Sequence, residues 1–181
     1  MKKPTVFFLS LILLLACAGC GGKGMQAEVW LDYFQTDDMP WGGSETLTLP
    51  EFPGVTFTWT PGAVTADDGN GVTTLFTGMP IWNVYLCDLT GDGKPEFCAT
   101  TSWGSGIVDD RVTVYDYVSG TSYVLVDRGF YDYALIAEGA SVRVVKAQYP
   151  GVLWSEYQEA ERGILALIPD GEGNLQLVME N

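Results

Sequence analysis

The chain has 181 residues, with 23 acidic and 9 basic side chains and a formal net charge of −14. A surface this acidic repels nucleic acid and anionic lipid headgroups, which argues against a nucleic-acid-binding role. The chain has no histidine, which excludes histidine-activated nucleophiles and histidine-ligated zinc. An enzyme built from this chain would work with carboxylates, Tyr or Lys.

Residues 1–20 have the pattern of a lipoprotein signal peptide. Met1–Lys3 is positively charged, and Val6 to Ala16 is apolar apart from Ser10, a run too short to span a bilayer. Cys17 and Cys20 follow among small residues, and either thiol is a candidate for lipidation. Cys17 fits better because an aliphatic residue lies three places before it, and ordinary secretion after cleavage is the alternative. We therefore predict a lipid anchor on the extracytoplasmic face of the cell membrane.

Residues 21–27 are predicted to form a flexible, glycine-rich spacer, and residues 28–181 a single β-rich domain. Glu28–Gln35 and Trp154–Arg162 are predicted short helices. The remaining runs are rich in Val, Thr and aromatic residues between Gly and Pro turns, which predicts an all-β, mostly antiparallel meander, sandwich-like or propeller-blade-like. The predicted strands are Thr46–Leu49, Val55–Thr60, Val72–Phe76, Trp82–Leu86, Phe97–Thr101, Arg111–Val118, Ser122–Asp127, Tyr133–Ala137, Val142–Tyr149, Ile164–Ile168 and Leu175–Met179.

One loop, Asp88–Glu96, concentrates oxygen-bearing side chains. Asp88, Thr90, Asp92 and Glu96 stand at positions one, three, five and nine, and the Lys94 carbonyl is a natural backbone ligand. Calcium binds six to eight such oxygens, so the loop predicts a structural Ca²⁺ site. Strands flank the loop and position twelve is no carboxylate, so it is not an EF-hand and resembles the calcium loops of integrin-type propeller repeats. Thr90 replaces a usual carboxylate, which predicts weak affinity. A metal-free turn, with carboxylates capping backbone N–H groups, is the alternative.

Cys87 and Cys98 flank this loop, and export from the cytoplasm permits a disulfide between them. A register with Cys87 opposite Cys98 would also place Trp82 opposite Trp103. Two buried free thiols that pack as small hydrophobic side chains are the alternative. Further along, Asp109–Arg111 is a candidate binding edge, although such charged runs are more often solvated.

Several long strings between Met39 and Pro150 resemble the extracytoplasmic C-terminal domain of BlaR/MecR-type (antirepressor) membrane metallopeptidases of gut Gram-positive bacteria. The metallopeptidase's transmembrane helices and its His-Glu-x-x-His motif are missing, so proteolysis does not carry over. The resemblance implies a surface domain used beside a signalling module, here with its own lipid anchor. The strings are Met39–Trp41, Leu49–Pro61, Gly78–Tyr85, Asp88–Ser105 and Val114–Tyr117.

Three classes of function remain after these exclusions. The first is a non-enzymatic, lipid-anchored binding or sensor-like domain for an unknown envelope protein or small ligand, which we prefer. The second is an accessory partner that docks another envelope or signalling protein through its acidic face. The third is a carboxylate-based glycan hydrolase, which needs two carboxyl groups about 5–10 Å apart in a cleft.

Overall fold

A computed structural model of the chain describes residues 25–34, 36, 38–104, 108–127, 130–139, 141–148 and 158–181. The predicted signal peptide, both candidate lipidation cysteines and residues 21–24 lie outside this part. The strands are β1 (Met25–Gln26), β2 (Glu28–Asp32), β3 (Glu45–Leu47), β4 (Thr56–Thr60), β5 (Ala63–Asp67), β6 (Val72–Thr77), β7 (Ile81–Cys87), β8 (Glu96–Trp103), β9 (Asp109–Asp116), β10 (Thr121–Leu125), β11 (Asp132–Glu138), β12 (Ser141–Gln148), β13 (Gln158–Pro169) and β14 (Leu175–Glu180).

These strands form three antiparallel sheets. The first sheet has four strands in the order β3-β4-β5-β6, and the central sheet has five in the order β10-β9-β8-β7-β2. The third sheet is built around β12, which pairs with β11 along one edge and with β1 and β13 along the other. β13 then continues past β12 to pair with β14. The predicted all-β, sandwich-like class is therefore confirmed.

The central sheet is buried on both faces. One face packs on the first sheet in an aromatic core that includes Phe57, Trp59 and Phe97. The opposite face packs on the third sheet through residues such as Val114 and Leu135. Strands buried on two sides lose the usual alternation of apolar and polar residues, and β7 and β8 are buried along almost their whole length.

Buried polar side chains join the central and third sheets. Asn83 lies at an irregularity of the β7–β8 ladder, where its Oδ1 accepts a hydrogen bond from the Thr100 N–H at 2.8 Å. Its Nδ2 donates to the Leu135 carbonyl at 2.9 Å, and the Leu135 N–H donates to Thr100 Oγ1 at 2.8 Å. Two side chains of the central sheet thus satisfy the backbone of β11, an edge strand of the third sheet.

Both helix predictions are wrong where the structure describes the residues. Glu28–Asp32 is a strand that pairs with β7, and 158–162, the described part of the second predicted helix, belong to β13. The helix preference of these segments is weak, and backbone hydrogen bonds to a neighbouring strand stabilise the extended conformation more strongly. Met25 and Gln26, expected in the spacer, pair with β12, and the strand Ala63–Asp67 was not predicted.

Gly163 lies where β13 stops pairing with β12 and begins to pair with β14, and close packing there requires glycine. Gly163 pairs with Val144, and the next residue, Ile164, pairs with Glu180. A Cβ atom at position 163 would lie 2.3 Å from the Glu180 carbonyl oxygen. A larger residue would therefore push β14 away from β13.

Candidate functional site

The loop between β7 and β8 is organised by its own carboxylates. Asp88 accepts hydrogen bonds from the Gly91 N–H at 2.7 Å and the Gly93 N–H at 3.0 Å. Asp92 accepts one from the Lys94 N–H at 2.8 Å. Gly91 and Gly93 have φ of 75° and 82°, a conformation that glycine adopts without steric cost.

Glu96, the first residue of β8, is buried at the base of this loop, with a relative exposure of 1%. One carboxylate oxygen accepts hydrogen bonds from the Leu89 and Thr90 N–H groups, and the other accepts one from the Thr90 hydroxyl at 3.0 Å. Burial raises the pKa of Glu96, the hydrogen bonds from Leu89 and Thr90 oppose that shift, and the charge of Asp116 adds a smaller upward contribution. Glu96 therefore ties the base of the loop to its first turn.

The described geometry corresponds to the capped turn, the alternative to a calcium site. Each of the three carboxylates accepts at least one backbone N–H. Within the residues that the structure describes, no group of three or more acidic or Cys side chains is placed to hold a metal ion. The predicted ligands Asp88, Thr90, Asp92 and Lys94 lie in the loop, and Glu96 lies at the first position of β8. Calcium binding stays a prediction.

If calcium binds this loop, it should act as a structural ion. A divalent cation would offset repulsion among Asp88, Asp92 and Glu96 and stabilise the folded state by mass action. With an affinity of about 10⁻⁴–10⁻³ M, millimolar calcium should raise the melting temperature, magnesium should raise it much less, and Asp92→Ala should abolish the rise. Identical melting curves in calcium and in chelator would leave only the metal-free turn.

The strands do not adopt the register that would place Cys87 opposite Cys98. Cys87 pairs with Glu96, and Cys98 pairs with Tyr85. The displacement of two residues keeps both cysteines on the same face of the sheet as diagonal neighbours. Both are buried free thiols, and burial together with a hydrogen bond to Cys87 raises the pKa of the Cys98 thiol. In this register the loop between β7 and β8 is one residue shorter than expected, because Glu96 is the first residue of β8.

Whether these thiols oxidise to a disulfide stays a prediction. If the two thiols are bridged in an oxidising compartment, the bridge should stabilise the fold by about 2–3 kcal/mol. The proteolytic fragment that carries Cys87 and Cys98 should then be two hydrogens lighter before reduction than after it, with Cys98→Ala as the control. Two thiols that alkylate in oxidised, denatured protein would rule out the bridge.

A cavity of about 210 Å³ opens between the first and central sheets. It lies between two edge strands, β6 of the first sheet and β10 of the central sheet, and β8 and β9 contribute the rest of its lining. The lining residues are Leu75, Phe76, Thr77, Trp103, Arg111, Thr113, Ser122 and Val124. The cavity therefore combines aromatic and aliphatic walls with hydroxyl groups and one guanidinium.

Arg111 is the cationic group of this cavity. Its Nη2 contacts Asp109 Oδ2 at 2.8 Å, and its guanidinium lies 5.1 Å from the centre of the Trp103 ring. The buried Nε of Arg111 has no hydrogen-bond partner among the residues that the structure describes. The guanidinium is thus held by a carboxylate and an aromatic ring, and its Nε–H is enclosed by the protein.

The sequence singled out only part of this site. Asp109–Arg111 is a candidate binding edge in the sequence, but the other lining residues come from strands separated in the chain. Asp110 is not solvated, since it is buried and accepts a hydrogen bond from the Ser102 hydroxyl. No local signal in β6 or β10 marks Leu75 or Val124 as part of a cavity, because their meeting depends on how two sheets pack.

Comparisons of the chain with protein-family profiles, with curated proteins and with solved structures find no match. The resemblance to the extracytoplasmic domain of antirepressor-type metallopeptidases therefore stays a prediction. The described residues also contain no helix with the length and hydropathy of a membrane span.

Proposed function

We propose that this protein is a non-enzymatic, lipid-anchored binding domain on the extracytoplasmic face of the membrane, with its ligand in the cavity beside Arg111. The observation that carries the proposal is the composition of the cavity, where aromatic, aliphatic and hydroxyl side chains line the same space as the Arg111 guanidinium. Asp109 and Trp103 hold that guanidinium in place, so its position is fixed before a ligand binds.

The lining chemistry supports binding over hydrolysis. A glycan hydrolase of this composition needs two carboxyl groups that face one substrate. The described cavity lining consists of apolar, hydroxyl and guanidinium side chains and contains no carboxylate. Apolar walls with a few placed polar groups are the usual composition of a ligand site.

The experiment compares the full-length lipoprotein in detergent micelles with a variant whose cavity is filled. Three probes are used: an uncharged heptapeptide pool, an acidic heptapeptide pool and chitotetraose. Ser122→Phe places a ring at the wall of the cavity and should reduce binding of the accepted probe at least tenfold. Thr121→Phe, on the adjacent exposed residue of β10, should leave binding unchanged, because successive strand residues face opposite sides of a sheet. The proposal would be overturned if none of the three probes binds. It would also be overturned if Ser122→Phe weakens the binding of none of them.

The membrane anchor is a separate prediction. Metabolic labelling with a fatty acid should mark the wild-type protein, and Cys17→Ser with Cys20→Ser should release it from the membrane fraction. The single variants identify which thiol carries the lipid, with Cys17 expected. An unlabelled wild type together with a double variant that stays in the membrane fraction would contradict the lipoprotein prediction.

A second candidate function, docking of another envelope protein, is favoured by exposed aromatic side chains. Trp41 and Phe130 are 69% and 72% exposed, and aromatic residues are enriched in the centres of protein interfaces. Trp41→Ser and Phe130→Ser should weaken crosslinking to such a protein in intact cells and leave the cavity's ligand binding unchanged.

A further inference from the structure

The turn between β5 and β6 carries an asparagine that is followed by glycine. Among Asn70, Asn83 and Asn174, only Asn70 precedes a glycine. Because glycine has no side chain, its backbone nitrogen can approach a neighbouring group closely. The Asn70–Gly71 pair therefore places an electrophilic side-chain amide next to an unhindered backbone nitrogen.

This turn is open to solvent. Residues 67–74 are all exposed, and apart from the adjacent residues no heavy atom lies within 4 Å of the position that a Cβ atom of Gly71 would occupy. Water can therefore reach the pair. By contrast, Asn83 is buried and both ends of its side-chain amide are hydrogen-bonded. Asn174 is exposed but precedes Leu175, whose side chain crowds the nitrogen that would react.

Deamidation of Asn70 needs no reactant other than water. The Gly71 nitrogen loses its proton to water and bonds to Cγ of Asn70, and the Cγ–Nδ2 bond breaks as ammonia leaves. The resulting succinimide takes up a water molecule and opens at either of its carbonyl groups. The product is aspartate, or isoaspartate with a main chain that runs through Cβ and Cγ and is longer by a single atom. In both products a neutral amide has become a carboxylate.

Asp68 binds the nitrogen that would attack. Its Oδ1 accepts the Asn70 N–H at 2.8 Å and the Gly71 N–H at 3.1 Å. These two hydrogen bonds lower the pKa of Asp68, so its carboxylate is charged at neutral pH. Removing the proton from the Gly71 nitrogen would create a second negative charge beside this carboxylate, and like charges at such a distance disfavour that state. Asp68 therefore opposes the first step of the reaction.

We propose that Asn70 is a site of spontaneous deamidation, and that the charge of Asp68 limits its rate in the folded protein. Across this turn Asp67 pairs with Val72, and the Asp68 N–H donates to the Gly71 carbonyl at 3.4 Å. A main chain that isoaspartate lengthens between these partners no longer matches the register of the β5–β6 hairpin.

The modified turn leads into a wall of the cavity beside Arg111. β6 begins at Val72 and supplies Leu75, Phe76 and Thr77 to the cavity lining. Isoaspartate would therefore accumulate with time next to a strand that borders this cavity.

The test incubates the full-length protein in detergent micelles at neutral pH and follows each asparagine by mass spectrometry of fragments prepared at mildly acidic pH. Exchange of the amide NH₂ for OH raises the mass of the fragment that carries Asn70, and chromatography separates its aspartate and isoaspartate forms. This fragment should change with time, faster at higher pH, whereas the fragments that carry Asn83 and Asn174 should not. An Asn70 fragment that stays unchanged in both the wild type and Asp68→Ala would overturn the proposal.

A matched pair of variants separates the charge of Asp68 from the shape of the turn. Asp67 also caps this turn, but its Oδ1 accepts a different backbone donor, the Gly69 N–H, at 2.8 Å. Asp68→Ala should accelerate deamidation about tenfold, as expected for the loss of a hydrogen bond to a charged group. Asp67→Ala should change the rate by less than about twofold. Both residues are exposed, so both variants should fold, which their melting curves check. Equal acceleration in the two variants would contradict the role of Asp68.

A third variant and a denatured sample complete the test. Gly71→Ala should fold, because the φ of Gly71 is not positive and its Cβ would meet only adjacent residues within 4 Å. The added methyl group shields the nitrogen, so deamidation should slow about tenfold, and an unchanged rate would exclude attack by this nitrogen. In denaturant the hydrogen bonds of the turn are lost, so the wild type and Asp68→Ala should react at the same rate. A difference that persists there would show that Asp68 does not act through the folded turn.

Discussion

Replacing Asn83 by leucine is expected to lower the free energy of unfolding by about 2–6 kcal/mol, because two buried groups lose their partners at about 1–3 kcal/mol each. These groups are the Thr100 N–H and the Leu135 carbonyl, which Asn83 bonds at 2.8 and 2.9 Å. Domains of this size are stable by about 5–15 kcal/mol. The loss is therefore a large fraction of the total stability.

Chemical denaturation of the wild type and the variant measures this effect. Asn70→Leu, in the exposed turn before β6, is the matched control and should change stability by less than about 0.5 kcal/mol. Thr100→Val removes the hydroxyl that accepts the Leu135 N–H and should be destabilising on its own. Combined with Asn83→Leu it should cost less than the sum, because both side chains serve the same backbone segment. If the Asn83→Leu variant is as stable as the wild type, the assigned hydrogen-bond network is contradicted.

Replacing Glu96 by alanine should lower the free energy of unfolding by about 2–4 kcal/mol, because the donors at Leu89 and Thr90 lose their common acceptor. Glu96→Gln should cost much less. Its amide oxygen can accept the two N–H groups, and its NH₂ group can donate to the Thr90 hydroxyl. Equal losses in the two variants would show that the Glu96 charge, and not its hydrogen bonds, organises the loop.

The pH dependence of stability separates Glu96 from its glutamine variant. Burial raises the pKa of Glu96 in the folded protein above its unfolded value, so the folded state binds more protons between these two values. The contribution of Glu96 is therefore fully present below the unfolded pKa and is lost as pH rises through the folded pKa. Denaturation midpoints measured across this window should show the wild type losing stability relative to Glu96→Gln as pH increases. A constant difference between the two proteins would contradict the raised pKa.

The predictions for Glu96 and Asn83 differ in how much of their basis is visible in the sequence. The loop containing Glu96 is visible as a dense run of Asp, Gly and Glu, and the capping interactions within it are local. Asn83 is unremarkable in the sequence. Its importance arises from Leu135, which is distant along the chain and close only in the folded protein.

By itself the sequence determined the all-β class, the acidic character and several of the turns. The short polar, glycine-containing runs Asp68–Gly71, Ser119–Gly120 and Asp170–Asn174 connect consecutive strands, and in the first of them Asp68 Oδ1 accepts the Asn70 and Gly71 N–H groups. Such turns depend on side chains within a few residues of one another. Local chemistry is therefore sufficient to locate them.

Only the tertiary structure decided the three-layer packing, the strand at Glu28–Asp32, the register of Cys87 and Cys98, and the cavity beside Arg111. A short apolar segment becomes a helix or a strand according to the partner it meets, and a shift in register changes which residues are opposite one another without changing composition. The cavity forms where β6 of one sheet approaches β8, β9 and β10 of another. Its existence is a property of sheet packing, which is set by contacts between residues distant in sequence.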